Sequence, residues 1–198
     1  RDPDKEDGEA TRAALAMVEN IDWNVGRMLE KLESLGLQDD TIVIYFSDNG
    51  PNSWRWNGDM KGRKGSTDEG GVRVPCLVRW PGKIPAGRVI DGISGAIDLL
   101  PTLGELTGVP LGATKPLDGV SQAKQLTDEQ PNTPSDRIIF SVRGSRVSAR
   151  TQQYRLGETG GLFDMADDPG QRVDLSDDKK EVMARLQSAV DQFRSESV

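Results

Sequence analysis

Apolar residues recur at spacings of three and four from Ala14 to Leu35: Ala14, Met17, Val18, Ile21, Val25, Met28, Leu29, Leu32 and Leu35. That period puts them on one face of a helix over residues 10 to 35. Gly36 ends it, and Leu37 is placed for the hydrophobic contact of a Schellman-type cap. Asp39 and Asp40 form the turn. The next run, TIVIYFS from Thr41 to Ser47, is β-branched and aromatic, and apolar on both faces. A strand that does not alternate is buried on both sides, which predicts a parallel sheet covered by helices. Helix, short turn and buried strand make half of a βαβ unit.

Residues 48 to 71 are too rich in Gly, Asn, Asp and Ser for regular structure. VRVPCLVRW is a second strand, where Pro75 points to an edge or a bulge. From Ile97, IDLLPTLGELTG reads as a short helix that Asp98 caps, Pro101 enters in the first turn and Gly108 ends. Residues 109 to 135 are Pro- and Gly-rich and read as a long excursion. Short alternating segments follow, RIIFSVR, RVSARTQ and QYRLGE, as in an antiparallel sheet with one wet face. GGLFDMADDPGQRVDLSDD reads as turn and loop. A final helix over 178 to 194 carries the stripe Val182, Leu186, Val190 and Phe193, with Asp177 and Asp178 suiting its positive end.

Composition narrows the chemistry. The 198 residues are 35% apolar and 29% charged, as in a globular protein, with a net charge of −7. Such a balance argues against a nucleic-acid partner. No window reaches the run of about 18 apolar residues that a membrane span needs. The charged opening RDPDKEDGEA is not a signal peptide and reads like the middle of a longer protein. The single cysteine, Cys76, excludes an internal disulfide and reads as a buried core thiol. Histidine is absent, so any metal should be a hard, oxygen-ligated ion such as calcium or magnesium.

The stretch SDNGPNSWRWNGDMKGRKGSTDEGGVRVP, residues 47 to 75, concentrates the candidate chemistry. Asp48 and Asn49 stand where ligands gather in open α/β sheets, beyond the carboxyl end of a strand. A carboxylate and an amide oxygen side by side suit one hard cation; Asp-Asn-Gly-Pro is equally a good Asx-turn sequence. From 55 to 73 five basic residues face three acidic ones, in a chain that is acidic overall. Glycines let backbone approach a ligand closely, and a lysine there is a compact charge for an oxyanion. An ordinary solvated loop fits the same composition.

These residues resemble a family. TIVIYFSDNG, KGRKGSTDEGGVRVP and WPG, in that order, are similar to the C-terminal half of a sulfatase of the alkaline-phosphatase-like superfamily. The flanking LAMVENIDWNVGRMLEKLESLGLQDDT, IDLLPTLGELTGV, LDGVS and GGLFDMADDPGQRVDLS extend the likeness over essentially the whole chain. The resemblance implies an α/β fold: the C-terminal part of an alkaline-phosphatase-like sandwich over residues 1–130, then a small antiparallel subdomain with a terminal helix over 131–198. It implies hydrolysis of sulfate esters, small-molecule or carbohydrate, with calcium and a formylglycine. Asp48 and Asn49 match the metal ligands of the SDNG motif, and Lys64 matches the sulfate-contacting lysine. Trp54, Arg55 and Trp56 become substrate-pocket residues, packing or solvent-facing roles being the alternative for the tryptophans. A periplasmic or secreted location is implied.

The family's C-x-P-S-R nucleophile motif is not in this chain; NTPSDR at 132 to 137 lacks the nucleophile, and Cys76 has other neighbours. Two further metal-binding acids and the sulfate-contacting histidines also belong to the family's N-terminal half. The chain is therefore expected to work with the N-terminal half of the same protein and to be inactive alone. A phosphate or phosphonate ester hydrolase of the same superfamily is one alternative, and a non-catalytic module is another.

Overall fold

The long apolar repeat forms helix α1, Gly8–Ser34. In this computed structural model residues 8–53, 56–112, 115–128 and 137–196 are described. Gly36 takes φ 67°, where glycine costs little, and the Schellman pattern closes the helix. Its N–H donates to Glu33 O at 2.9 Å, and the Leu37 N–H donates to Leu32 O at 2.9 Å. No residue of α1 is buried. Met17, Val18, Ile21 and Met28 from the apolar stripe lie exposed, and Ala14, Val25, Leu29 and Leu32 are half-covered.

Strand β1, Val43–Phe46, pairs antiparallel with β2, Cys76–Arg79, from Val43 opposite Arg79 to Phe46 opposite Cys76. Here the sequence expectation is corrected. No parallel partner lies among the described residues, and Tyr45 and Phe46 are exposed. The run is apolar on both faces, yet Val43 and Ile44 are only half-buried. Cys76 is also exposed rather than buried, although partial cover still pushes its thiol pKa up. Proline suits the entry to β2, an edge strand here, because it has no N–H to give to a ladder.

A short 3₁₀ turn, Ala96–Asp98, leads into α3, Leu99–Thr107, which ends at Gly108 in the left-handed region. Asp98 makes no side-chain bond to the N-terminus of α3. Its carboxylate instead accepts the N–H groups of Gly95 and Val120, each at 2.9 Å. The excursion after residue 109 contains a further helix, α4, Ala123–Thr127.

The main core lies in the last third of the chain. Strands β3 (Ile139–Arg143), β4 (Arg146–Arg150), β5 (Tyr154–Leu156) and β6 (Leu162–Asp164) form one antiparallel sheet in chain order. β6 occupies a segment read from sequence as loop; its three residues are too few for alternation to show. Helix α5, Lys180–Glu196, packs on the sheet. Leu186 and Val190 meet Val147, Ala149, Leu156 and Leu162. Phe193 stacks on Phe140 with ring centroids 4.5 Å apart, the offset range in which aromatic pairs attract.

Candidate functional site

The site grows from the turn after β1. The Gly50 N–H donates to Gly71 O at 3.0 Å, joining the SDNG turn to helix α2, Glu69–Val72. A Cβ on Gly50 would lie 1.9 Å from Gly70 O, so only glycine permits this approach. The Lys64 N–H donates to Pro51 O at 2.9 Å. The SDNG turn and the loop that carries Lys64 thus meet through backbone.

Asp48 is exposed and Asn49 half-buried. Neither side chain hydrogen-bonds to any described residue, so their oxygens are not consumed by an Asx-turn. Ser47 Oγ donates to the Asn49 backbone carbonyl at 3.4 Å, which leaves the amide oxygen available. Two adjacent oxygens fit part of a hard-cation shell, which takes about six to eight. No cluster of three or more metal-binding side chains lies among the described residues. Trp54 and Arg55 lie outside the described residues. Trp56 is 74% exposed.

Beside Lys64 opens a cavity of about 570 Å³ whose wall includes Ser53, Lys61, Arg63, Lys64, Asp68 and Arg172. The Ser53 hydroxyl is covered and has no partner among the described residues. Lys64 is exposed, and its ammonium forms no ion pair there. Lys61 differs. Its Nζ lies 3.5 Å from Asp68 Oδ1 and 5.5 Å from the centre of the Phe163 ring. Lys61 is exposed yet pairs with a carboxylate that is buried.

Sequence reasoning missed what fastens the Lys64 loop. Glu69 is buried at 4% exposure. Arg155, 2% exposed, donates to Glu69 Oε2 through Nη2 at 2.7 Å and Nε at 3.2 Å. Arg150 Nε adds a third contact at 3.3 Å. Burial raises the Glu69 pKa; the charges of Arg155 and Arg150, the Arg155 hydrogen bond and Arg73 outweigh it and hold the carboxyl below its ordinary value. Burial pulls Arg150 down against the attraction of Glu69, yet a guanidinium stays charged in proteins. Nearby, Thr67 Oγ1 donates to Glu158 at 2.7 Å, and Arg146 pairs with the same carboxyl at 3.0 Å. The available sequence signal was Arg155 itself, a charge between Tyr154 and Leu156 in a strand.

Known proteins share this arrangement of chain. The family model described as Sulfatase matches residues 1–109. Steryl-sulfatase of Mus musculus is 43% identical over 112 residues, covering 52% of this chain and 18% of that protein. Arylsulfatase A of Bos taurus is 33% identical over 208 residues, covering 87% and 41%. Ps i-CgsB in complex with k-i-k-neocarrahexaose superposes with a TM-score of 0.83 at 27% identity, over 96% of this chain and 44% of the other. BT4656 in complex with its substrate D-glucosamine-2-N,6-O-disulfate gives 0.70 at 26%, over 91% and 40%. The chain thus spans less than half the length of each of these proteins. The mixed α/β architecture is that of the alkaline-phosphatase-like fold. With more than half of its residues matched by the family model, the chain belongs to the sulfatase family.

Proposed function

We propose that the chain is the C-terminal portion of a sulfatase that hydrolyses sulfate esters. In that role Lys64 contacts the sulfate, and Asp48 and Asn49 supply two oxygen ligands to a calcium ion. The observation that supports this reading is the hydrogen bond from the Lys64 N–H to Pro51 O, which brings the Lys64 backbone against the turn whose Asp48 and Asn49 side chains have no hydrogen-bond partner among the described residues. A bound calcium would supply positive charge to the sulfate oxygens. Lys64 adds a compact ammonium where charge must be held, a term worth most in a site that excludes water. The nucleophile, expected as formylglycine, and the remaining ligands come from the N-terminal half of the same protein. The exposed stripe of α1 and the open faces of β1 are apolar surface that such a half would cover.

The substrate class we propose is a sulfated carbohydrate. The support is the fold shared with BT4656, whose substrate is a glucosamine disulfate. The test is turnover by the full-length protein, offered matched sulfate and phosphate esters of one sugar. Preference for the sulfate is expected; preference for the phosphate overturns the reading. The 198-residue chain alone is expected to turn over neither.

A further inference from the structure

Four residues of this loop, Gly65, Thr67, Asp68 and Glu69, are fastened to the last third of the chain. Gly65 O accepts from Arg146 Nη2 at 3.2 Å. Thr67 O accepts from Ser148 Oγ at 2.9 Å and from Arg155 Nη1 at 2.6 Å. The Glu69 N–H donates to Gln171 Oε1 at 3.1 Å, and Gln171 Nε2 donates to Asp68 Oδ1 at 3.1 Å. Arg155 is the hinge pin of this set. One buried guanidinium holds the Thr67 carbonyl, the Ser148 hydroxyl at 3.0 Å and the Glu69 carboxylate together. Lys64 has no such anchor. Among the described residues only its backbone N–H is held, by Pro51.

We propose that Arg155 is a positioning residue for Lys64: by fixing Thr67 and Glu69, three and five residues downstream, it sets where the Lys64 ammonium stands over the substrate anion. The proposal rests on the reading of Lys64 as the sulfate contact. It assigns the C-terminal sheet a share in the reaction although the sheet touches no substrate. Three features favour Arg155 over the other anchors. It is buried, so its place is set by packing. Its planar fork binds several acceptors at fixed angles, which a point charge does not. And it joins backbone and side chain of the same loop, so its loss frees both. Because misplacing a contact by about 1 Å costs on the order of a hundredfold in rate, a small slackening of this loop is visible in kinetics.

A double-mutant cycle in the full-length protein tests this. Arg155→Lys keeps a positive charge for Glu69 but loses the fork to Thr67 and Ser148. It is expected to lower kcat/KM by about tenfold or more in the otherwise native protein, and by less than about twofold once Lys64 is already alanine. Thermal denaturation measured alongside separates lost stability from lost position, because a stability defect persists in both backgrounds. Should Arg155→Lys fail to accumulate folded, Ser148→Ala, which removes one hydroxyl that donates to the same carbonyl and accepts from the same guanidinium, carries the same comparison with a smaller drop. An equal drop in both backgrounds overturns the inference, as does no drop in the native one. If instead Lys64→Ala leaves kcat/KM unchanged, the Lys64 reading itself fails, and that outcome is distinct from the other two.

Discussion

Arg137, half-buried, forms an ion pair with the buried Asp98 across thirty-nine residues of chain. Arg137 Nη1 donates to Asp98 Oδ2 at 2.7 Å, and Nη2 reaches Oδ1. The same carboxylate accepts the Gly95 and Val120 N–H groups, so it ties the start of β3 to the turn before α3 and to the segment before α4. Asp98→Ala removes one partner and leaves Arg137 uncompensated. It should cost about 3–5 kcal/mol, the scale for breaking a buried pair. Chemical denaturation of the full-length protein is the measurement, and a loss below about 1 kcal/mol would contradict the assignment.

Glu69 predicts an acid-side weakness. Its folded pKa lies below the unfolded value, because the arginines outweigh the burial that raises it. Its contribution is therefore complete above the ordinary carboxylate range and is lost as pH falls through the folded value. Glu69→Gln should be less stable at neutral pH, by about 3–5 kcal/mol. Its stability should also decline less than that of the native protein between about pH 5 and pH 3. Parallel stability curves for the two proteins would show that Glu69 is not the titrating group.

For the proposed cation, Asp48→Ala and Asn49→Ala in the full-length protein should each weaken calcium binding and activity together. Losing one of a few oxygen donors leaves a hard ion under-coordinated. Calorimetric titration with calcium gives the affinity directly, without an assay of turnover. Full calcium affinity in either variant would remove that residue from the ligand set.

Local rules were legible where they decide structure locally. The helix stop at Gly36 and the stripe of α5 needed only spacing and one left-handed glycine. The four-stranded sheet was visible for three strands and hidden for β6, whose three residues sit between turn formers. Among the described residues β1 is only partly covered, Val43 and Ile44 half-buried and Tyr45 and Phe46 exposed; a strand apolar on both faces reports what it could pack against. Asp98 looked like a helix cap because short-range rules offer only short-range partners, and its real partner comes thirty-nine residues later. The same limit hid Arg155. The loop's basic run was legible, while the pairing of Glu69 with a strand eighty-six residues on was not.

Lys64 and Lys61 stand on one loop and should behave differently. Lys61 is half-exposed, pairs with Asp68 at 3.5 Å and lies over Phe163. The lysine end of the pair lies in solvent, and Gln171 still donates to the buried Asp68 carboxylate, so the pair contributes about 1 kcal/mol; Lys61→Ala should shift the melting temperature slightly and leave kcat/KM nearly unchanged. Lys64 has no ion pair among the described residues, so Lys64→Ala should leave folding stability close to native. Its loss should appear in the reaction instead. A charge that meets the sulfate in the ground state and holds it in the transition state affects both KM and kcat. Losing one well-placed electrostatic contact costs about a hundredfold, which is the fall in kcat/KM expected for Lys64→Ala in the full-length protein. Lys64→Arg should not restore it, because a planar fork does not replace a compact ammonium. The measurement is steady-state hydrolysis of the sulfated sugar by the three variants beside the native protein. Equal kcat/KM for Lys61→Ala and Lys64→Ala would mean that the basic run is ordinary surface and that the sulfate contact lies elsewhere.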